Sequence, residues 1–104
     1  MALSNAIKKH YRSIGHELKP IVMIADKGVT EGVKKELERA LNDHELIKIK
    51  LNINSPAARK TIAEALCEEH NAELVQLIGK MLLLYRKSKK VDNKLSNLQR
   101  IVGS

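Results

Sequence analysis

The four residues Ala25-Asp26-Lys27-Gly28 are the part of this chain best equipped to meet a ligand. They follow the apolar run Ile21-Val22-Met23-Ile24 and precede Thr30, a residue type that caps helices. A turn between a strand and a helix aims the amides of Lys27 to Glu31 out of the helix N-terminus. That end carries partial positive charge and N–H donors without intrahelical acceptors, so it suits a phosphate. Lys27 adds a full charge, Gly28 lets the backbone come close, and Lys34 and Lys35, one turn on, can extend the patch. Asp26 and Glu31 oppose it. Taken alone, these residues fit a plain strand-to-helix connection equally well.

No constellation elsewhere suggests catalysis. His10, His16, His44 and His70 fall on different elements without metal-ligand spacing. Gly79-Lys80 lacks the glycine-rich run of a P-loop, and there is no G-x-S-x-G elbow. Cys67 is the single cysteine, so no intramolecular disulfide can form, and it reads as a free, half-exposed thiol without a role. Neither enzymatic activity, nor a small-molecule substrate, nor a metal or other cofactor is expected.

Charge gives the second functional signal. Residues 1–20 carry Lys8, Lys9, Arg12 and Lys19 against Glu17, a balance of +3. Residues 21–85 balance to −1, and residues 86–104, with Arg86, Lys87, Lys89, Lys90, Lys94 and Arg100 against Asp92, to +5. A near-neutral body with basic ends suits a polyanion, or the acidic surface of a protein partner. Of the aromatic residues Phe, Tyr and Trp, the chain has only Tyr11 and Tyr85, which nearly excludes an RNA site built from rows of stacking rings. Nucleic acid would be held by phosphate contacts, backbone amides and aliphatic packing.

The elements that must position these groups follow from periodicity. At 104 residues, 43% hydrophobic and 30% charged, the chain is expected to form one domain with an aliphatic core. Ser4 opens a helix with the stripe Ile7, Tyr11, Ile14 and Leu18, and with Lys8, Lys9 and Arg12 on its far side. That basic face also admits docking to a membrane surface, although the apolar stripe is more simply core-facing. Pro20 stops the helix, and Ile21–Ile24 reads as a buried strand.

Thr30 caps a second helix with core residues Val33, Leu37, Ala40 and Leu41, a Glu31–Lys35 ion pair, and Gly32 in a turn that needs a reason for glycine. Residues 46–53 alternate, Ile47, Ile49, Leu51 and Ile53 against Lys48 and Lys50. Ser55-Pro56 starts a third helix, with Ile62, Ala65 and Leu66 inward and Lys60 paired with Glu64 outside. Leu74–Ile78 and Met81–Tyr85 form a hairpin about Gly79-Lys80. The order α-β-α-β-α-β-β predicts an α/β fold, a two-layer sandwich of a four-stranded mixed sheet with helices mainly on one face. Val91, Leu95, Leu98 and Ile101 keep helical spacing in a basic tail, 88–104. No apolar run approaches the ~20 residues of a membrane span, the N-terminus lacks a secretion signal's apolar core, and a cytoplasmic monomer is the expectation.

The segments HELKPIVMIADKGVTEGV, ALNDHELIKIKLN and LVQLIGKMLLLYR, in order and without large gaps across residues 3–87, resemble the bacterial YhbY family. These are single-domain members of the CRM (chloroplast RNA splicing and ribosome maturation) group. The resemblance implies a CRM-like domain over 1–87, similar in fold to the C-terminal domain of translation initiation factor three. It also implies non-catalytic RNA binding and association with precursor rRNA in precursors of the large ribosomal subunit. The family's KH-like GxxG loop, which clamps a nucleotide backbone, falls on Ala25, Asp26, Lys27 and Gly28, with alanine in place of the first glycine. The expected RNA track adds Lys8, Lys9, Arg12, Lys19 and Lys34, with Lys87, Lys89 and Lys90 supplying non-specific affinity.

Overall fold

Each helix begins where the sequence places a hydroxyl. In this computed structural model, which describes residues 3–88, Ser4 accepts the Ile7 amide at 3.2 Å and opens α1, Asn5–Glu17. Thr30 does the same for Val33 at 3.2 Å and opens α2, Glu31–His44. Ser55 accepts from Ala58 at 3.2 Å, with Pro56 in the first turn of α3, Pro56–His70. The C-termini use a different device. Asn71 takes the left-handed conformation (φ 53°) after α3, and Glu45 takes φ 63° after α2, at the one residue separating that helix from the next strand.

The strands are β1 (Val22–Ile24), β2 (Leu46–Leu51), β3 (Glu73–Ile78) and β4 (Met81–Tyr85). They form one mixed sheet in the order β1-β2-β4-β3, with β1 parallel to β2 and β4 antiparallel to both β2 and β3. The α-β-α-β-α-β-β order and the hairpin at Gly79-Lys80 are as expected. β1 is only half buried, because α2 and α3 cover one of its faces and the other is left bare there: Val22 and Ile24 face the core, while Ile21 and Met23 are 47% and 58% exposed. A continuous apolar run reads as a fully buried strand only if both faces of the sheet are covered at that point, and here only one is.

α2 and α3 cover one sheet face through Leu37, Leu41, Ala63 and Leu66, packed on Ile24, Ile47, Ile49, Leu51, Leu82 and Leu84. These are the expected two layers. α1 adds partial cover on the opposite face, where Ile14 meets Leu46, Val75 and Leu83. Its approach is close, because a Cβ on Gly15 would lie 2.3 Å from Leu83 Cδ1. Gly15, not Gly32, is therefore the helical glycine that contact requires: a Cβ at Gly32 would meet only Thr30 Oγ1 at 3.8 Å.

Three further expectations change. Ile7, in the first turn of α1, is 42% exposed and lines an open groove with Glu73 and Tyr85. On α3 the buried residues are Ala63, Leu66 and His70, with Ile62 packed against the core as expected and Ala65 exposed. Lys34, not Lys35, takes the Glu31 carboxylate, at 3.6 Å. Cys67 is half-buried against the core, and burial followed by the nearby Glu73 and Glu64 carboxylates pushes its thiol pKa up.

Candidate nucleic-acid interface

Parallel pairing of β1 with β2, and the antiparallel return through β4, bring three connections to one end of the sheet. They are the 25–30 loop, the 52–55 loop and the 79–80 hairpin, and the backbone ties them together. The Asn52 amide donates to the Ile24 carbonyl at 2.7 Å, and the Leu51 amide to the Lys80 carbonyl at 2.7 Å. The N-termini of α2 and α3 open at this same end. It is the carboxyl end of the parallel strands, where open α/β sheets place their ligands.

The 25–28 loop is a tight turn closed by the Gly28 amide on the Ala25 carbonyl at 2.8 Å. Gly28 sits at φ +71°, with open space where a side chain would project. The loop's positive φ is at Gly28 alone. The non-glycine residues with positive φ among those described are Glu45 and Asn71, so Ala25 occupies the first loop position without backbone strain. Asp26 and Lys27 are exposed at the tip. The Thr30 side chain and carbonyl take the Val33 and Lys34 amides, leaving those of Glu31 and Gly32 as the first-turn donors with no intrahelical acceptor.

Two cations that spacing did not single out join Lys27 here. Lys80 donates to Oδ1 of both Asn52 and Asn54, each at 3.3 Å. Arg59 donates to the Ile53 carbonyl at 2.6 Å and the Asn54 carbonyl at 3.0 Å. Neutral acceptors fix the position of a cation without cancelling its charge, so both remain available to an anion. The hairpin itself was legible in the sequence. That its tip lies beside the 52–55 loop depends on sheet order.

The other expected contacts do not form one track with the loop. Lys8 and Arg12 line a groove of about 560 Å³ together with Lys60 of α3 and Leu74, along β3, at the opposite edge of the sheet from β1. Lys9 is exposed on the same helix, and Lys19 is exposed on the connection into β1. Lys34 points toward α3, 2.9 Å from Glu69 and 3.6 Å from Glu31. The Glu69 hydrogen bond, then the Glu69 and Glu31 charges, raise its pKa, so two carboxylates already share this ammonium. Lys87 is exposed beyond β4, near the far end of the sheet, while Lys89 and Lys90 lie outside the described residues.

That far end is differently organised. Arg86 donates to both Glu38 carboxylate oxygens at 3.1 and 2.9 Å, to Asn42 Oδ1 at 2.9 Å, and to the His70 and Glu38 carbonyls. His70 Nδ1 lies 2.6 Å from Glu38 Oε2. The Arg86 hydrogen bonds, then that of His70, hold the Glu38 carboxyl below its usual range. A hydrophobic-periodicity reading passes over a buried histidine, and nothing local couples it to Glu38.

Both tyrosines are engaged in the fold. Their rings pack 5.0 Å apart, and burial, followed by Tyr11 and Glu45, pushes the Tyr85 phenol up to about 12. Among the described residues no group of three His, Cys, Asp or Glu could hold a metal ion, and no helix is long and apolar enough to cross a membrane.

The family model for the CRS1 / YhbY (CRM) domain matches residues 3–86. A Pseudomonas aeruginosa protein named as a probable RNA-binding protein is 52% identical over 103 residues, covering 99% of each chain. A Haemophilus influenzae RNA-binding protein is 41% identical, over 89% of this chain and 94% of its own. The solution structure of a hypothetical Staphylococcus aureus protein, a candidate RNA binder, superposes with a TM-score of 0.75 at 38% identity, covering 85% of this chain and 92% of that one. With the family model matching nearly the whole described chain and these relatives and fold in agreement, the chain belongs to the CRS1/YhbY (CRM) domain family.

Proposed function

We propose that this protein is a non-catalytic RNA-binding protein that associates with precursor rRNA of the large ribosomal subunit during its assembly. It acts as a monomer in the cytoplasm, gripping phosphates with the 25–28 loop. The observation that carries this reading is the carboxyl end of the sheet. There Gly28 at φ +71°, the N-terminus of α2 and the exposed Lys27 share one end of the sheet with Lys80 and Arg59, which neutral oxygens hold in place. The names of the relatives support RNA as the ligand, and the family resemblance supports the ribosomal setting.

A phosphate entering the loop meets N–H donors and a helix dipole, and three flanking cations offset its charge. Lys8, Arg12 and Lys60, against the single carboxylate of Glu64, line a second net-cationic groove that a longer RNA reaches around the β3 edge. Binding is therefore steeply salt-dependent, with a log–log slope of about −0.7 per phosphate contact on single strands.

The test is a sucrose gradient of cell extract at low salt. Co-migration with particles at or just below the large subunit, lost in high salt or after RNase, is the expected result. Association that survives RNase would point instead to docking on an acidic protein partner, and sedimentation only at the top would remove the ribosomal setting.

A further inference from the structure

The sheet face that carries α1 is only half covered. Strand register places Met23 of β1 opposite Lys50 of β2, Lys50 opposite Met81 of β4, and Met81 opposite Ile78 of β3. These four side chains therefore form one row across the sheet, on the face opposite α2 and α3. Met23 is 58%, Ile78 63% and Met81 37% exposed. At about 4.8 Å per strand the row spans about 14 Å. Behind it Lys48, Gln76 and Leu83 make the next row, and the C-terminal turn of α1 at Gly15 and His16 closes a hollow of about 220 Å³ over Lys48, Ile78 and Met81.

An apolar strip interrupted by cations is a poor solvent face and an unusual protein-docking face. Its ionisable side chains, Lys48, Lys50 and His16, are all basic types, and Lys80 stands at its margin on the hairpin. Two residues beyond Met23 the chain enters the Ala25–Gly28 turn, so the strip leads directly into the phosphate-binding loop. An anionic ligand with flat apolar faces fits this combination.

We propose that the Met23–Lys50–Met81–Ile78 row receives the unpaired bases of single-stranded RNA whose phosphates are held by the 25–28 loop. This rests on the RNA-binding reading above. The thioethers of Met23 and Met81 lie against base faces, a sulfur–ring contact that tolerates any base. Lys48 and Lys50 meet the backbone between them. The two tyrosines are committed to each other on the covered half of the same face, which leaves this row as the ring-contacting surface. A duplex presents no base faces, so the row discriminates single from double strands.

The experiment compares wild type, Lys27→Glu, and the double variant Met23→Ser/Ile78→Ser, which removes only exposed side chains, with folding verified by circular dichroism. The probes are a short single-stranded RNA carrying thiouridine and the duplex of the same sequence. The double variant is expected to lose about tenfold in single-strand affinity, with an unchanged salt slope and unchanged duplex binding. Thiouridine in the wild-type complex is expected to cross-link to the peptides holding Met23 or Met81. If Lys27→Glu weakens binding while the double variant binds the single strand like wild type, the base-receiving row is overturned and the loop stands. The face would then be a protein-docking surface. If wild type binds neither RNA, the RNA-binding reading falls and this inference with it.

Discussion

The two ends of the sheet handle charge in opposite ways. At the end where α2 and α3 finish, Arg86, Glu38, His70 and Asn42 bond to one another, and the guanidinium also takes two backbone carbonyls. At the end where α2 and α3 begin, Lys80 and Arg59 are held by amide and carbonyl oxygens, and Lys27 projects from the loop tip. The first arrangement spends its polar groups inside the molecule and ties two helices to β4. The second holds Lys80 and Arg59 in place with neutral oxygens, which leave their charge to a ligand. Residue types alone do not distinguish a structural cation from a binding one; the charge of the partner does.

Removing Arg86 should separate the two ends most clearly. Arg86→Ala removes a donor from Glu38, Asn42 and two carbonyls, and leaves Glu38 only its contact with His70. With Glu38 48% exposed, part of that loss is recovered from water, so a destabilisation of about 2–3 kcal/mol is expected in urea unfolding. RNA affinity of the folded protein should not change. A loss of affinity at full occupancy of the folded state would mean that the structural end also binds.

Lys27→Glu is the converse. It places a third anion beside Asp26 and Glu31, and should cost at least tenfold in affinity, about 1.4 kcal/mol or more, while the urea midpoint stays put. Unchanged gel-shift affinity would remove the loop as the contact.

The tightest glycine provides a smaller, purely structural test. Gly15→Ala forces Leu83 or α1 to move, costing about 1–2 kcal/mol in thermal or urea unfolding without altering the salt slope of RNA binding.

The smallest effect is expected from acid. Arg86 and then His70 lower the Glu38 pKa in the folded state. That contribution is complete above the unfolded carboxylate value and is lost as pH falls through the lowered folded value. Urea midpoints should therefore drop below about pH 4.5, and part of that drop should vanish in Glu38→Gln.

How much of this was legible in the sequence varies with the range of the interaction that decides it. Ser4, Thr30 and Ser55 announced their helices because a cap is a contact three residues long. The alternation of Ile47 and Ile49 with Lys48 and Lys50 announced β2 because pleat fixes side-chain direction. The Glu38–His70–Arg86 cluster was hidden, since 32 positions separate Glu38 from His70 and 48 separate Glu38 from Arg86.

By itself the sequence determined the order of elements, the caps that bound the helices, an aliphatic core and the glycine-bearing turn after β1, all properties carried within a few residues. The tertiary structure decided which of the cations belong together. Sheet order put β1 and β3 at opposite edges, so the α1 cations part from the 25–28 loop and Lys80 joins it. Register lined up Met23, Lys50, Met81 and Ile78. Both are settled by backbone pairing between distant strands, whose choice rests on burying the whole apolar face at once rather than on any local preference.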